Sequence, residues 1–309
     1  MPPWCILFCL GSLSINTGAS LLLATHRSSA ASVHLRRIPT AVMSSPSLKG
    51  GDVRVEVISD FACPWCYVGK ARLTAAIKAF ERSSSDNPDG KPRSSGGSSK
   101  VHVSYRPYMI DARTQPDGED YLAYCERRWG GDGWTTSMKR SSRKDGCEFA
   151  KWDTWPNSLR AHRLQKFAEN AGKGDQVNSL VFQTIYERGG NASDLETLVS
   201  LAEEAGLSPA DTRTFLSSRE GEDDVLREDH KAKAELDVRG VPYFVVRGTE
   251  EQEGSGSATS PAARGATAAA ASAGNAAGTG GKGQPEIILR GAVGPDDLLR
   301  AFTSAASRR

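Results

Sequence analysis

The chain has 309 residues, 38% of them hydrophobic and 25% charged, with a formal net charge of +2. Residues 1–51 hold four of the 39 basic side chains and no acid, which leaves 35 basic against 37 acidic side chains, about −2, in the remainder. A near-neutral body with no long basic run argues against nucleic acid as a partner, and six cysteines, two of them in the leader, are too few for a small disulfide-stapled domain.

The leader begins with an apolar run, Trp4 to Ile15 with Leu21-Leu22-Leu23 beyond it, broken by Gly and Ser. It is too short and interrupted for a stable membrane span. A Ser-rich stretch with Arg27, Arg36, Arg37 and Lys49 follows. A signal-type segment joined to a transit-peptide-type segment suits delivery to a plastid through the secretory route. The alternatives are a mitochondrial presequence, a secretory signal, or a cytosolic protein that starts at Met43.

Val53–Ile58 predicts the first strand, and Cys63-Pro64-Trp65-Cys66 follows it at the opening of a helix in which Leu73, Ala76, Ile77 and Phe80 share a face. Two thiols at this spacing can close a small disulfide ring. The first lies where helix N-terminal amides stabilise a thiolate, the reactive form, so a strand–CxxC–helix unit is a redox signature. Pro64 gives up an N–H that the first helical turn leaves unpaired anyway. Trp65 supplies an apolar face where a His would add charge or a hydrogen bond, which predicts a less oxidising couple than Cys-Pro-His-Cys.

Residues 81–100 and 248–284 are dominated by small and polar side chains and are expected to stay mobile, because they bury too little to offset ordering entropy. Between them, Val101–Tyr105 alternates as a second strand ended by Pro107. Helical stripes then follow: Leu164, Phe167, Ala168 and Ala171; Val177, Leu180, Val181 and Ile185; Leu195, Leu198, Val199, Ala202 and Ala205. Ser193 and Glu196 predict a capping box for the third stripe, and Ser208-Pro209 starts the next helix. A charged helix covers 222–237. Val241–Val246 and Glu286–Leu289 are strand candidates that should pair as a hairpin with a greatly lengthened tip, and a last helix from Pro295 carries Leu298, Leu299 and Phe302. The domain reading is a leader over 1–51, the first part of the fold over 52–110, a helical insertion over 111–224, and a second part over 225–305 with its low-complexity insert at 248–284.

Cys125 and Cys147 are 22 residues apart, a spacing that does not establish whether they meet. His102, His162 and His230 occur singly, and no second close Cys or His pair accompanies the CxxC, so a zinc site is not expected. His162, Trp152 and Trp155 read as packing residues, and Asn191-Ala192-Ser193 is a glycosylation sequon only for a chain that enters the secretory lumen.

The stretch Asp60-Phe61-Ala62-Cys63-Pro64-Trp65-Cys66-Tyr67-Val68-Gly69-Lys70 resembles the FrnE-type branch of the DsbA-like thiol-disulfide oxidoreductases. Asn157–Leu164 resembles that family's inserted-helix segment, and Gly240-Val241-Pro242-Tyr243-Phe244 its strand-opening proline motif. The resemblance spans residues 53 to about 305 and implies an α/β, thioredoxin-like fold with an all-helical insertion. It implies Cys63 as the attacking thiol and Cys66 as the resolving one, with Pro64 and Trp65 supporting the site. Pro242 would be a cis-proline beside the CxxC, with the Val241 backbone and Trp65 contacting substrate. The partners implied are protein or peptide thiols and disulfides, with glutathione or a thioredoxin-type protein for recycling, and neither a metal nor a bound organic cofactor. Two other readings share the fold: the kappa-class glutathione transferases with the 2-hydroxychromene-2-carboxylate isomerases, and a non-catalytic polypeptide-binding module. The first group resembles this insertion pattern but has Ser at the active position, so retention of both Cys63 and Cys66 favours the redox reading. The long insert at 248–284 departs from the family's short connection.

Overall fold

Alternation sets the first strand, β1 (Val53–Ser59): Val53, Val55 and Val57 are buried, while Arg54 is exposed and Glu56 half-buried. The computed structural model describes residues 51–85, 99–249 and 285–307. The leader up to residue 50 and most of the two low-complexity stretches, with the targeting and mobility expected of them, lie outside the described residues. Helix α1 (Pro64–Ser85) follows the CxxC turn and leads to β2 (Val101–Pro107). It continues as far as Ser85, into residues expected to be mobile, and there the Ser83 and Ser84 hydroxyls donate to the Phe80 carbonyl at 2.8 and 2.9 Å.

A two-residue ladder, β3 (Glu119–Asp120) against β4 (Thr154–Trp155), brackets α2 (Tyr121–Trp129) and α3 (Trp134–Ser142). The remaining helices of the insertion are α4 (Leu159–Asn170), α5 (Gly174–Tyr186), α6 (Leu195–Glu204), α7 (Pro209–Ser217) and α8 (Glu222–His230). The last of these widens into a π-helical turn over Lys231–Glu235. Ser208 caps α7 with Pro209 at its first position, as the sequence suggests. The cap of α6 is Asp194 and not Ser193: the Asp194 carboxylate accepts from Thr197 N–H at 2.7 Å. Ser193 Oγ is instead taken by Asn157 N–H at 2.8 Å, a tertiary bond that competes with local capping.

The chain then returns to β5 (Tyr243–Gly248), β6 (Ile287–Arg290) and α9 (Pro295–Ala306). The sheet order is β2-β1-β5-β6. β1 and β2 run parallel, Val53 opposite Val101, with α1 supplying the crossover that a parallel pair requires. β5 is antiparallel to both β1 and β6, so the long-tipped hairpin forms, with Tyr243 opposite Arg290. One face of the sheet buries Val53, Val55, Val57, Phe244 and Val246 against Leu73 and Phe80 of α1 and Leu298 and Phe302 of α9. The helical insertion has its own core, and that core reaches the CxxC end of α1: Phe61, Ala62, Cys63, Cys66 and Tyr67 pack in the same cluster as Trp155, Leu164, Phe182 and Tyr186. The CxxC turn therefore lies where the sheet meets the insertion. Among the described residues no helix is long and apolar enough to cross a membrane.

Candidate active site

The turn that ends β1 places Cys63 immediately before the first residue of α1. Cys63 N–H donates to the Asp60 carbonyl at 3.1 Å, and the Cys63 carbonyl accepts from the N–H groups of Cys66 at 2.9 Å and Tyr67 at 3.3 Å. Cys63 is thus the N-cap, and its side chain sits at the end of the helix where amide dipoles point outward. Both cysteines are free thiols. Cys63 is 4% exposed and Cys66 2%, whereas Trp65 between them is 38% exposed, the open side chain of the motif.

Across the turn lies the start of β5. The Val241–Pro242 peptide is cis, and Cys63 Sγ lies 3.7 Å from the Val241 carbonyl oxygen. In the reduced protein the Cys63 thiol is thus the neighbour that this carbonyl faces. Pro242 approaches α1 so closely that a Cβ on Gly69 would fall 2.7 Å from Pro242 Cγ and 3.4 Å from the Phe244 ring. Only glycine lets the helix and the proline meet at this distance, which gives Gly69 of the sequence motif a physical role.

Cys66 is held from behind. Its Sγ accepts from Asp60 N–H at 3.5 Å, and the side chains of Cys63 and Ser59 are its neighbours. Burial pushes the Cys66 thiol well above its ordinary range, and the neighbouring Cys63 acts in the same direction, against smaller opposing effects from Ser59 and the Asp60 backbone. Cys66 is held as a thiol at neutral pH, which suits a group that acts second.

Asp60 is 1% exposed, and its carboxylate organises the turn: Oδ1 accepts from Ala62 N–H at 3.1 Å and Oδ2 from Ile110 N–H at 2.7 Å. His162 of α4 lies beside it, with Nε2 3.5 Å from Asp60 Oδ1 and its ring 4.9 Å from that of Phe61. The Tyr186 hydroxyl donates to the Phe61 carbonyl at 3.0 Å. His162 is buried, as its place near the Leu164 stripe suggested, but its neighbour Asp60 could not be found from the sequence: the two are 102 positions apart with no pattern linking them.

The other sequence candidates lie apart from this chemistry. Trp152 and Trp155 are buried in an aromatic cluster with Tyr121, Tyr124 and Tyr186. Cys125 and Cys147 have different surroundings. Burial raises the Cys125 thiol to about 11, against a smaller lowering from the neighbouring Tyr121. Burial raises Cys147 to about 12, next to Asp145, Glu187 and the Tyr67 hydroxyl. His102 Nε2 is 3.1 Å from Asp52 Oδ2, and Asn191 of the sequon donates to the Asp117 carbonyl at 2.7 Å. Among the described residues no group of three or more His, Cys, Asp or Glu is placed to hold a metal ion.

Comparison with known proteins bears on this geometry. A family described as the DSBA-like thioredoxin domain matches residues 54–268. The uncharacterized protein YwbO of Bacillus subtilis is 28% identical over 199 residues, which cover 64% of this chain and 88% of that protein. A probable DsbA oxidoreductase from Streptomyces coelicolor has a similar crystal structure, with a TM-score of 0.55 and 22% identity, covering 83% of this chain and 91% of that one. At that identity the likeness establishes a shared fold. A 2-hydroxychromene-2-carboxylate isomerase structure overlaps more loosely, with a TM-score of 0.43 and 19% identity, over 62% of this chain and 84% of that one.

Proposed function

Since the chain belongs to the DSBA-like thioredoxin domain family, we propose that it is a protein disulfide oxidoreductase that exchanges disulfides with polypeptide thiols through Cys63 and Cys66. The observation that carries this reading is a Cys63-Pro64-Trp65-Cys66 turn at the start of α1, with Cys63 Sγ 3.7 Å from the backbone of Val241, which precedes cis-Pro242. The resemblance to the kappa-type transferases and isomerases implies a Ser where this chain has its first thiol, and a binding module needs no paired thiols.

In the reducing direction the Cys63 thiolate attacks one sulfur of a client disulfide. A Cys63–client bond forms, and the other client sulfur leaves as a thiolate. Cys63 no longer carries a hydrogen at that stage, so the Val241 carbonyl is released to accept from an extended client segment, a short β-augmentation at the head of β5. Trp65 offers an apolar face beside the sulfur. Cys66 then attacks Cys63 Sγ, the Cys63–Cys66 bond forms, and the client departs with both of its sulfurs reduced. The reverse sequence oxidises a client dithiol. Glutathione or a thioredoxin-type protein would restore the starting state. The basic, acid-free leader supports a plastid as the compartment, to be tested by sequencing the N-terminus of the native protein and locating a tagged full chain.

The function is tested by mixing the protein, in stoichiometric amounts, with a fluorescent peptide containing one disulfide. The expected result is one peptide disulfide opened per reduced protein, with a Cys63–Cys66 disulfide formed in equal amount. Exchange that persists after Cys63→Ser, Cys66→Ser would contradict the assignment.

A further inference from the structure

The two edges of the four-stranded sheet are finished differently. On the β2 side, Tyr105 N–H donates to Glu169 Oε1 of α4 at 3.2 Å, so a helix side chain closes that edge. On the β6 side, no strand pairs with the outer edge among the described residues. Gly291 N–H donates to the Pro242 carbonyl at 2.8 Å, and Leu289 and Ile287 stand opposite Phe244 and Val246. Backbone bonding alternates along an antiparallel pair. The N–H and C=O groups of Leu289 and Ile287 therefore turn toward β5, and those of Glu286, Ile288 and Arg290 turn outward. An open row of backbone donors and acceptors is a template for a further strand.

The side chains along this edge are complementary to themselves. Glu286, Ile288 and Arg290 share the sheet face opposite α1 and α9 and are all exposed, while Ile287 and Leu289 lie half-buried against the α1–α9 core. An antiparallel copy of the same strand, related by a two-fold axis at Ile288, sets Ile288 against its own counterpart and Glu286 against Arg290 of the partner subunit. The same register sets Ile287 against the partner's Leu289 on the other face. Every cross-strand pair is then apolar with apolar or acid with base, the pairs that stabilise a sheet. Each charged pair also extends a contact already present, since Arg247 of β5 donates to Glu286 at 2.7 Å and the Arg290 guanidinium lies 5.4 Å from the Tyr243 ring. Sliding the register by two residues in either direction sets Ile288 against a charge, so the pattern specifies one alignment.

We propose that a second copy of this chain docks on β6, joining two four-stranded sheets into one of eight strands about a two-fold axis. A second copy fits better than an unrelated extended segment because the match is between this strand and itself. The inference is independent of the redox reading above. Pairing covers Ile288, which at 39% exposure is the one strand residue among the exposed large apolar side chains of the described residues. Ile288 is also the lip of a groove of about 820 Å³ between this sheet face and α8 with its π-helical turn, lined by Ile58, Tyr243 and Val245. The dimer lays two such grooves side by side, with the Ile288 pair on the ridge between them.

Sedimentation equilibrium of the full chain, over a concentration series and with a thiol reductant present, tests the pairing. Wild-type protein is expected to pass from monomer to dimer as concentration rises. Arg290→Glu sets acid against acid at both ends of the strand pair, and Glu286→Arg sets base against base. Each should raise the dissociation constant on the order of 10²-fold. An equimolar mixture of the two variants restores opposite charges at every contact and should dimerise at concentrations where neither does alone. Near-ultraviolet circular dichroism reports that the variants are folded. Ile288→Lys places two ammonium groups at the axis without touching either charged pair, should raise the dissociation constant in the same sense, and carries the test if a reversed variant does not fold. A wild-type chain that stays monomeric throughout would overturn the pairing. So would folded variants with an unchanged dissociation constant, or a mixture that remains monomeric.

Discussion

Two groups of buried thiols can be compared within the described residues: Cys63 with Cys66 at the head of α1, and Cys125 with Cys147 inside the helical insertion. Burial does not tell them apart, since all four are 4% exposed or less. Their neighbours do. Cys63 follows the turn after β1, caps a helix and lies near a backbone carbonyl beside cis-Pro242. Cys125 and Cys147 sit among tyrosines and carboxylates, where the small help of a tyrosine and a nearby cation does not offset lost hydration and the carboxylates add to it, and burial pushes them to about 11 and about 12. What separates the two groups is what surrounds each buried sulfur.

The widest separation between the two groups should come from removing each in turn. Cys63→Ser should lower the rate of client exchange on the order of 10³-fold or more, while Cys125→Ala and Cys147→Ala leave the exchange rate per folded molecule close to wild type. Equal losses from all three variants in the fluorescent-peptide assay would erase the distinction. Gly69→Ala sharpens it from the other side. A methyl group 2.7 Å from Pro242 Cγ must push α1 and β5 apart, with an expected cost of about 1–3 kcal/mol in urea unfolding and a slower exchange at Cys63. A variant as stable and as active as wild type would show that the close approach is dispensable.

Trp65→His should have a smaller effect, because the position is 38% exposed. A His there favours the thiolate, so the reduction potential measured against glutathione should rise on the order of 30 mV, or tenfold in the equilibrium constant. An unchanged or lower potential would contradict this account of Trp65. The gentlest test uses pH. Unfolded thiols ionise above about 8.5, while folded Cys125 and Cys147 hold their protons up to about 11 and about 12. Between those limits the unfolded state binds fewer protons, so stability is fully present below the unfolded value and falls as pH rises, by at most about 1.4 kcal/mol per pH unit for each thiol. The urea midpoint of the reduced protein should therefore decline above pH ~8.5, and less steeply after Cys125→Ala. A midpoint flat from neutral to alkaline pH would mean that these thiols are not protected by the fold.

Much of this was legible in the sequence, for physical reasons that also mark where legibility ends. β1, α1 and α6 announce themselves because each buries a periodic face, and α4 and α5 because apolar residues recur at helical spacing, although burial wraps most of the way around both. The hairpin of β5 and β6 was readable because both strands are β-branched or apolar runs. The β3–β4 ladder was not: Glu119 and Asp120 have little strand preference, and their pairing with Trp155 and Thr154 is imposed by the insertion's packing. The α6 cap was misplaced by one residue because Ser193 and Asp194 are equally good caps, and only the tertiary bond from Asn157 decides between them. At the site, the CxxC and Pro242 could be found by motif. The meeting of His162 with Asp60 depends on how α4 docks against the β1–α1 turn and leaves no local trace.

The central claim is that Cys63 attacks and Cys66 resolves, and a trapped intermediate tests it most directly. Reduced Cys66→Ser protein would be mixed with a peptide disulfide, quenched with acid and digested for mass spectrometry under non-reducing conditions. The account predicts a stable covalent adduct in which the peptide sulfur is bonded to Cys63. Failure to capture the peptide, or an adduct carried by Cys125 or Cys147, would contradict it.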